Sequence, residues 1–263
     1  ADLISQQSSE LLDLIELEVG KPRGLGGFEI EDIVSGIKYF SSEILKIKVD
    51  RFDIDTDSYP LTTVDLHLFP HGVVGVISPW NFPFWTPMIN IVPAILTGNT
   101  VVFKPDEHAT LMGLKIKELF ELAGFPAGVL NVVIGGANTG KWLVESDIDK
   151  ITLTGSVETG KDVLRNIGVK PVLLELGGND AAIVCEDADL KQAIPAICWG
   201  AIYNAGQACN GIKRIYLCSS LAKEFIDGSI EYLKKLKRKI DYGPIISEEA
   251  RGIIITRITK AVQ

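Results

Sequence analysis

The sequence predicts an α/β fold, a doubly wound parallel sheet followed by a second α/β unit, and three observations predict it. Between residues 72 and 178, five β-rich runs alternate with helical stretches, the pattern of successive strand–helix–strand units. The runs are apolar on both faces, as strands are when helices cover both sides of a parallel sheet. With 263 residues, 46% of them hydrophobic, the chain can bury the core such a sheet requires.

Taken in order, residues 1 to 46 read as two amphipathic helices separated by a glycine-rich turn at GKPRGLGG (20–27), and residues 50 to 71 as extended and polar. GVVGVIS (72–78) is a strand, and PFWTPMINIVPAILTG (83–98) a helix closed by Gly98 despite its prolines. TVVFKP (100–105) is a strand, and TLMGLKIKELFELAG (110–124) has helical spacing and a terminal glycine. VLNVVIG (129–135), KITLTG (150–155) and PVLLELGG (171–178) complete the strands, with helices at NTGKWLVES (138–146) and SVETGKDVLRNIG (156–168) between them. Beyond a break near residue 178 come a strand at AAIVCE (181–186), a long helix near 188–204, a strand at IKRIYLC (212–218) and two more helices. No repeat and no low-complexity tract interrupts the pattern.

Charge and cysteine usage exclude several classes. The formal net charge of −8 does not suit a protein that coats nucleic acid or an anionic membrane, and the basic run KKLKRK (234–239) reads as the solvated end of a helix. The most apolar stretch, around 82–98, is broken by Pro, Asn and Gly and is short for a bilayer span. The first twenty residues lack the basic start and apolar core of a signal peptide. Cys185, Cys198, Cys209 and Cys218 show no metal or redox spacing, so a reducing cytoplasm is expected and no metal site.

Two stretches, GGANTGK (135–141) and GSVETGK (155–161), fit G-x-x-x-x-G-K between a strand and a helix. A nucleoside-triphosphate loop needs a Ser or Thr next, and here Trp142 and Asp162 follow. Either turn could still offer backbone N–H groups, including those near Gly136 and Gly140, to a pyrophosphate, or be an ordinary strand-to-helix turn. The dinucleotide fingerprint G-x-G-x-x-G is absent. His67, His71 and His108 lie in or near loops without a local nucleophile signature and read as surface residues. Glu175 is the odd charge in an apolar strand, ahead of two glycines, where doubly wound sheets place chemistry; an exposed strand end is the plain alternative. Cys209 follows Gly206 and Gln207 on a turn, a better presentation for a nucleophile than Cys185 in a strand or Cys198 in a helix. Spacing alone does not rank it above a structural cysteine.

PWNFP (79–83), KPDE (104–107), TGSVETG (154–160), ELGG (175–178) and GQAC (206–209) together resemble, in order, the motifs of the NAD(P)-dependent aldehyde dehydrogenase superfamily. The resemblance runs from LEVGKP (17–22) to GPIISEEA (243–250), and the spacing of Glu175 and Cys209 agrees with it. It implies a Rossmann-like nucleotide-binding domain over 1–60 and 71–178 with the N-terminal helices. It further implies an oligomerisation-arm-like segment over 61–70 and a partial α/β catalytic domain over 179–263. By the resemblance, Cys209 is the nucleophile, Asn81 and the Cys209 backbone N–H receive the oxyanion, and Glu175 activates water. Lys104 and Glu107 would grip the adenosine ribose, Glu107 leaning the preference towards NAD over NADP. Gly155 and Ser156 would meet the pyrophosphate, Trp80 would line the nicotinamide side, and Gly177 would let the backbone approach the ring.

The implied reaction is oxidation of a small aldehyde to a carboxylic acid with reduction of NAD(P), by a homo-oligomer with no nucleic-acid or membrane partner. The chain also departs from the family pattern. Asn179 stands where a lysine is usual after ELGG, the segment between KKLKRKI and DYGP is short, and a second glutamate with a nearby Phe-Gly-Pro is not in the sequence. These departures imply a short or truncated member, for which a catalytically silent NAD(P)-binding module is the competing reading. Coenzyme-A acylation, in which a thiol replaces water, is disfavoured by Glu175. PFWTPMIN (83–90) either lines a substrate tunnel with Phe84, Trp85 and Met88 or packs a core helix.

Overall fold

The structure is a computed structural model and describes residues 1–47, 50–52, 57–60 and 62–263. Three helices open the chain: α1 (Asp2–Gln6), α2 (Ser8–Val19) and α3 (Arg23–Ile44). The expected glycine-rich turn over 20–27 is therefore only Gly20 to Pro22, and Gly24, Gly26 and Gly27 are helical. Packing explains Gly26: a Cβ there would lie 3.0 Å from the Leu12 side chain, so a small residue lets α3 approach α2.

In the stretch expected to be extended, β1 (Asp50–Phe52) pairs antiparallel with β2 (Val64–Leu66). Residues 48, 49, 53–56 and 61 lie outside the described residues, and with them the first position of the arm-like segment.

The central sheet contains β3 (Val73–Ile77), β4 (Thr100–Lys104), β5 (Leu130–Val132), β6 (Lys150–Thr154) and β7 (Val172–Glu175). All its pairings are parallel, in the order β5-β4-β3-β6-β7. The helices between them are α4 (Trp85–Leu96), α5 (Thr110–Leu122), α6 (Ala137–Glu145) and α7 (Val157–Asn166). Each strand falls within its predicted run. Gly98 and Gly124, with φ of +87° and +84°, follow α4 and α5 as the sequence predicts.

Two apolar clusters cover the two faces. Leu11, Ile33, Phe84, Ile91, Phe103 and Ile116 belong to one, and Leu143, Ile151, Leu153 and Val163 to the other. Phe84 and Met88 are thus core residues, while Trp85 faces the cleft described below. Carboxylates from the first helices close the N-termini of later ones. Glu18 accepts the backbone N–H groups of Leu111 and Met112 at 2.7 and 2.8 Å, and Glu29 those of Phe84 and Trp85 at 3.2 and 3.1 Å.

Beyond Gly178 the chain forms a separate parallel pair, β8 (Asp180–Val184) and β9 (Ile212–Leu217). With it come α8 (Leu190–Ile202), α9 (Ala222–Lys234) and α10 (Glu248–Val262), and a third cluster of Val184, Leu190, Ile197 and Phe225. Helix α9 ends at Lys234, so most of KKLKRK lies outside it, contrary to expectation. Asp241 accepts the Lys237 N–H at 2.7 Å and Lys239 has a φ of +67°, a local turn that stops the helix.

Candidate active site

In a sheet of this order the crossovers leave in opposite directions from β3, and a crevice opens beyond the carboxyl ends of β3 and β6. A cleft of 1290 Å³ occupies that position. The loop after β3 contributes Trp80 and Asn81, the end of β4 and the turn after it contribute Lys104 and Glu107, and the turn that leads into α7 contributes Gly155 and Ser156. Glu175 and Gly177 enter from the end of β7, Gly140 from α6, and Cys209 from the turn before β9. Ten of the eleven site residues expected from the sequence therefore line one cleft. Gly136 does not; it sits behind Glu107, whose Oε1 would be 3.6 Å from a Cβ at that glycine.

Local geometry fixes most of these groups. Ser156 caps α7, its Oγ accepting the Thr159 N–H at 3.0 Å, so the first turn of that helix opens onto the cleft. Lys104 is 5% exposed and its Nζ lies 3.5 Å from Glu107. Glu175 closes β7, where its carbonyl accepts the Gly155 N–H at 3.0 Å and its side chain is exposed towards the cleft. His67, His71 and His108 are exposed, as expected.

Cys209 is exposed on a turn that follows an unusual stretch of backbone. Asn204, Ala205 and Gly206 have φ of 52°, 57° and 78°, three left-handed residues in succession. Two of them carry a Cβ, and such conformations persist only where the surroundings hold them. Hydrogen bonds from neighbouring segments hold this stretch. Asn81 donates its amide to the Gln207 carbonyl at 2.8 Å, which uses one of its two N–H donors, and its own backbone carbonyl accepts the Asn204 amide at 3.0 Å. The Gln207 side chain donates to the carbonyls of Asn204 and Pro244 and accepts the Ile246 N–H. The Cys209 carbonyl accepts the Gly178 N–H at 3.2 Å, joining the turn to the segment after Glu175.

Behind the PWNFP loop lies a fully buried ion pair, Lys21 and Glu29, at 2.5 Å. The Lys21 ammonium also sits 4.0 Å from the centroid of Phe82, whose ring stacks on Tyr203. Burial pulls the Lys21 pKa below the usual lysine value, with Glu29 opposing it. Burial, aided by Glu29, pushes the Tyr203 phenol up to about 12. Sequence reasoning missed Lys21, Glu29, Asn204 and Gln207 as supports of the site. The GKP and GQAC stretches contain two of them, but nothing in their spacing reveals the contacts. Among the described residues no cluster of His, Cys, Asp and Glu could hold a metal ion, and no helix is long and apolar enough to cross a membrane.

Comparison with known proteins bears on the family and the fold. The model of the aldehyde dehydrogenase family matches residues 1–263. An aminoaldehyde dehydrogenase of Pisum sativum, described as peroxisomal, is 33% identical over 270 residues, which cover 98% of this chain and 53% of that protein. The crystal structure of betaine aldehyde dehydrogenase from Staphylococcus aureus in complex with NAD+ superposes with a TM-score of 0.93 at 31% identity, over 98% of this chain and 52% of that one. The NADP-dependent glyceraldehyde-3-phosphate dehydrogenase of Bacillus halodurans, complexed with NADP, gives a TM-score of 0.91 at 34% identity, over 98% of this chain and 56% of that one. The chain thus spans about half the length of the relatives it matches.

Proposed function

The chain belongs to the aldehyde dehydrogenase family, and we propose that its cleft serves the oxidation of a small aldehyde to a carboxylic acid with reduction of NAD(P). The observation that carries this reading is the convergence on one cleft of an exposed thiol, a side-chain amide, a carboxylate and an open helix N-terminus.

The cleft's residues fit a dinucleotide. The first turn of α7 offers its positive end to a pyrophosphate beside Gly155 and Ser156. The buried Lys104 and the adjacent Glu107 offer a donor and an acceptor to a ribose, and Glu107 opposes a 2′-phosphate, favouring NAD. Trp80 and Gly177 leave a flat wall and an open approach for the nicotinamide end.

In this reading the Cys209 Sγ attacks the aldehyde carbon: a C–S bond forms, the C=O π pair moves onto oxygen, and the thiol proton passes to water in the cleft. The free N–H of the Asn81 amide and the Cys209 backbone N–H receive the oxyanion, and removing one such donor typically lowers the rate ~10²–10³-fold. A nicotinamide cofactor held by these residues would supply the acceptor for the hydride, so that a thioester would remain on Cys209. Glu175 then takes a proton from water, whose oxygen attacks the thioester carbon, and the acid departs as the thiol returns.

Incubating Glu175→Gln with aldehyde and NAD, then weighing the peptide that holds Cys209, tests this sequence of steps. An acyl group retained on Cys209 is expected; unmodified Cys209 from an incubation that reduced NAD would overturn the reading. A second reading, an NAD(P)-binding chain without turnover, draws on Ile183, Ile215 and Tyr216, which leave the β8–β9 pair apolar and exposed. Calorimetric binding of NAD with no aldehyde oxidation would favour it.

A further inference from the structure

We propose that Lys213 is a positioning residue for Cys209, its ammonium clamping the turn that presents the thiol. The proposal rests on the reading of Cys209 as the nucleophile. Lys213 is the second residue of β9, and its Nζ donates to three backbone carbonyls: Ala208 at 3.2 Å, Cys209 at 2.9 Å and Gly211 at 2.8 Å. An ammonium has three N–H donors and no acceptor, so these carbonyls use its full capacity.

Two of the three bonds bear directly on the chemistry. A trans peptide is planar, with its C=O and N–H pointing in opposite directions. Holding the Ala208 carbonyl therefore aims the next N–H, that of Cys209, which is the backbone donor assigned to the oxyanion. The Cys209 carbonyl is held from two sides, by Lys213 and by the Gly178 N–H at 3.2 Å, which orients the peptide on the other side of the thiol-bearing carbon. Replacing the ammonium with an apolar group would remove the one donor the three carbonyls share, leaving Ala208 only the Gly211 N–H at 3.2 Å and Cys209 only the Gly178 N–H at 3.2 Å.

Alkylation by iodoacetamide, followed on each cysteine peptide of the whole chain by mass spectrometry, tests this without requiring turnover. Lys213→Met is expected to slow modification of Cys209 about tenfold, through looser presentation of the thiol. Lys213→Arg keeps the charge and at least two donors and should restore the rate to within about threefold of wild type. Exposed Cys185 should react equally in all three proteins, and buried Cys198 should stay protected. Should Lys213→Met expose Cys198, Lys213→Gln carries the test with a slowing of about threefold. A Cys209 rate in Lys213→Met within about twofold of wild type, or an arginine variant as slow as the methionine one, would overturn the proposal. Failure of the underlying reading shows separately, as aldehyde oxidation that survives Cys209→Ala.

Discussion

Replacing Lys21 with methionine removes the cation from a pair in which both side chains are fully buried. Glu29 then stays in the interior with one oxygen still bonded to the N–H groups of Phe84 and Trp85 and the other without its partner. Breaking a buried pair on one side destabilises a protein by about 3–5 kcal/mol, because a charge is left uncompensated. For a chain of this size each kcal/mol lowers the Tm by about 2–4 °C, so a drop of roughly 6–20 °C is expected. The double variant Lys21→Met/Glu29→Gln removes both charges yet keeps an amide oxygen for the two N–H groups. It should recover most of the loss, to within about 1–2 kcal/mol of wild type. Urea unfolding of the four proteins in the double-mutant cycle, at unchanged m value, gives the coupling directly. A loss below about 1 kcal/mol in Lys21→Met, or a double variant no better than the single, would refute the argument.

Other consequences concern the same part of the molecule. Ala205→Gly removes a Cβ from a left-handed position and should raise stability by up to about 1 kcal/mol in thermal unfolding, whereas Ala205→Val should lower it by more than that. Tyr203 has a folded-state pKa raised to about 12, so its contribution is complete below pH 10 and is lost as pH rises from about 10 through 12. Ultraviolet titration of wild type against Tyr203→Phe should show one late-ionising phenol missing from the variant, and stability of the variant should fall less steeply over that window. If Glu107 takes the proposed place beside the ribose, Glu107→Ser should narrow the gap between NAD and NADP affinities by about tenfold, measured by calorimetry, because it removes a carboxylate that lines the cleft.

The doubly wound sheet was legible because its apolar runs are bounded by glycines that must adopt positive φ, as at Gly98 and Gly124. The start of α3 was not. Three glycines within the five residues after Pro22 read as a turn, and only the close approach of Leu12 explains why Gly26 belongs in a helix. In the candidate site, motif order named side chains but not what holds them. Asn81 and Cys209 are far apart in sequence, and the bonds of Asn81 to Gln207 and of Asn204 to Asn81 arise only when the β3 loop and the turn before β9 meet. Lys213 acts on backbone carbonyls, and a contact with backbone leaves no partner residue type for a pattern to reveal. The same holds for Glu29, whose partners are two N–H groups and a lysine on a preceding turn.

The most direct test of the central claim is aldehyde-dependent formation of NADH by the 263-residue chain across a small aldehyde panel, beside Cys209→Ala. The account predicts reduction of NAD that depends on aldehyde and disappears in the variant. Equal rates in the two proteins would contradict it.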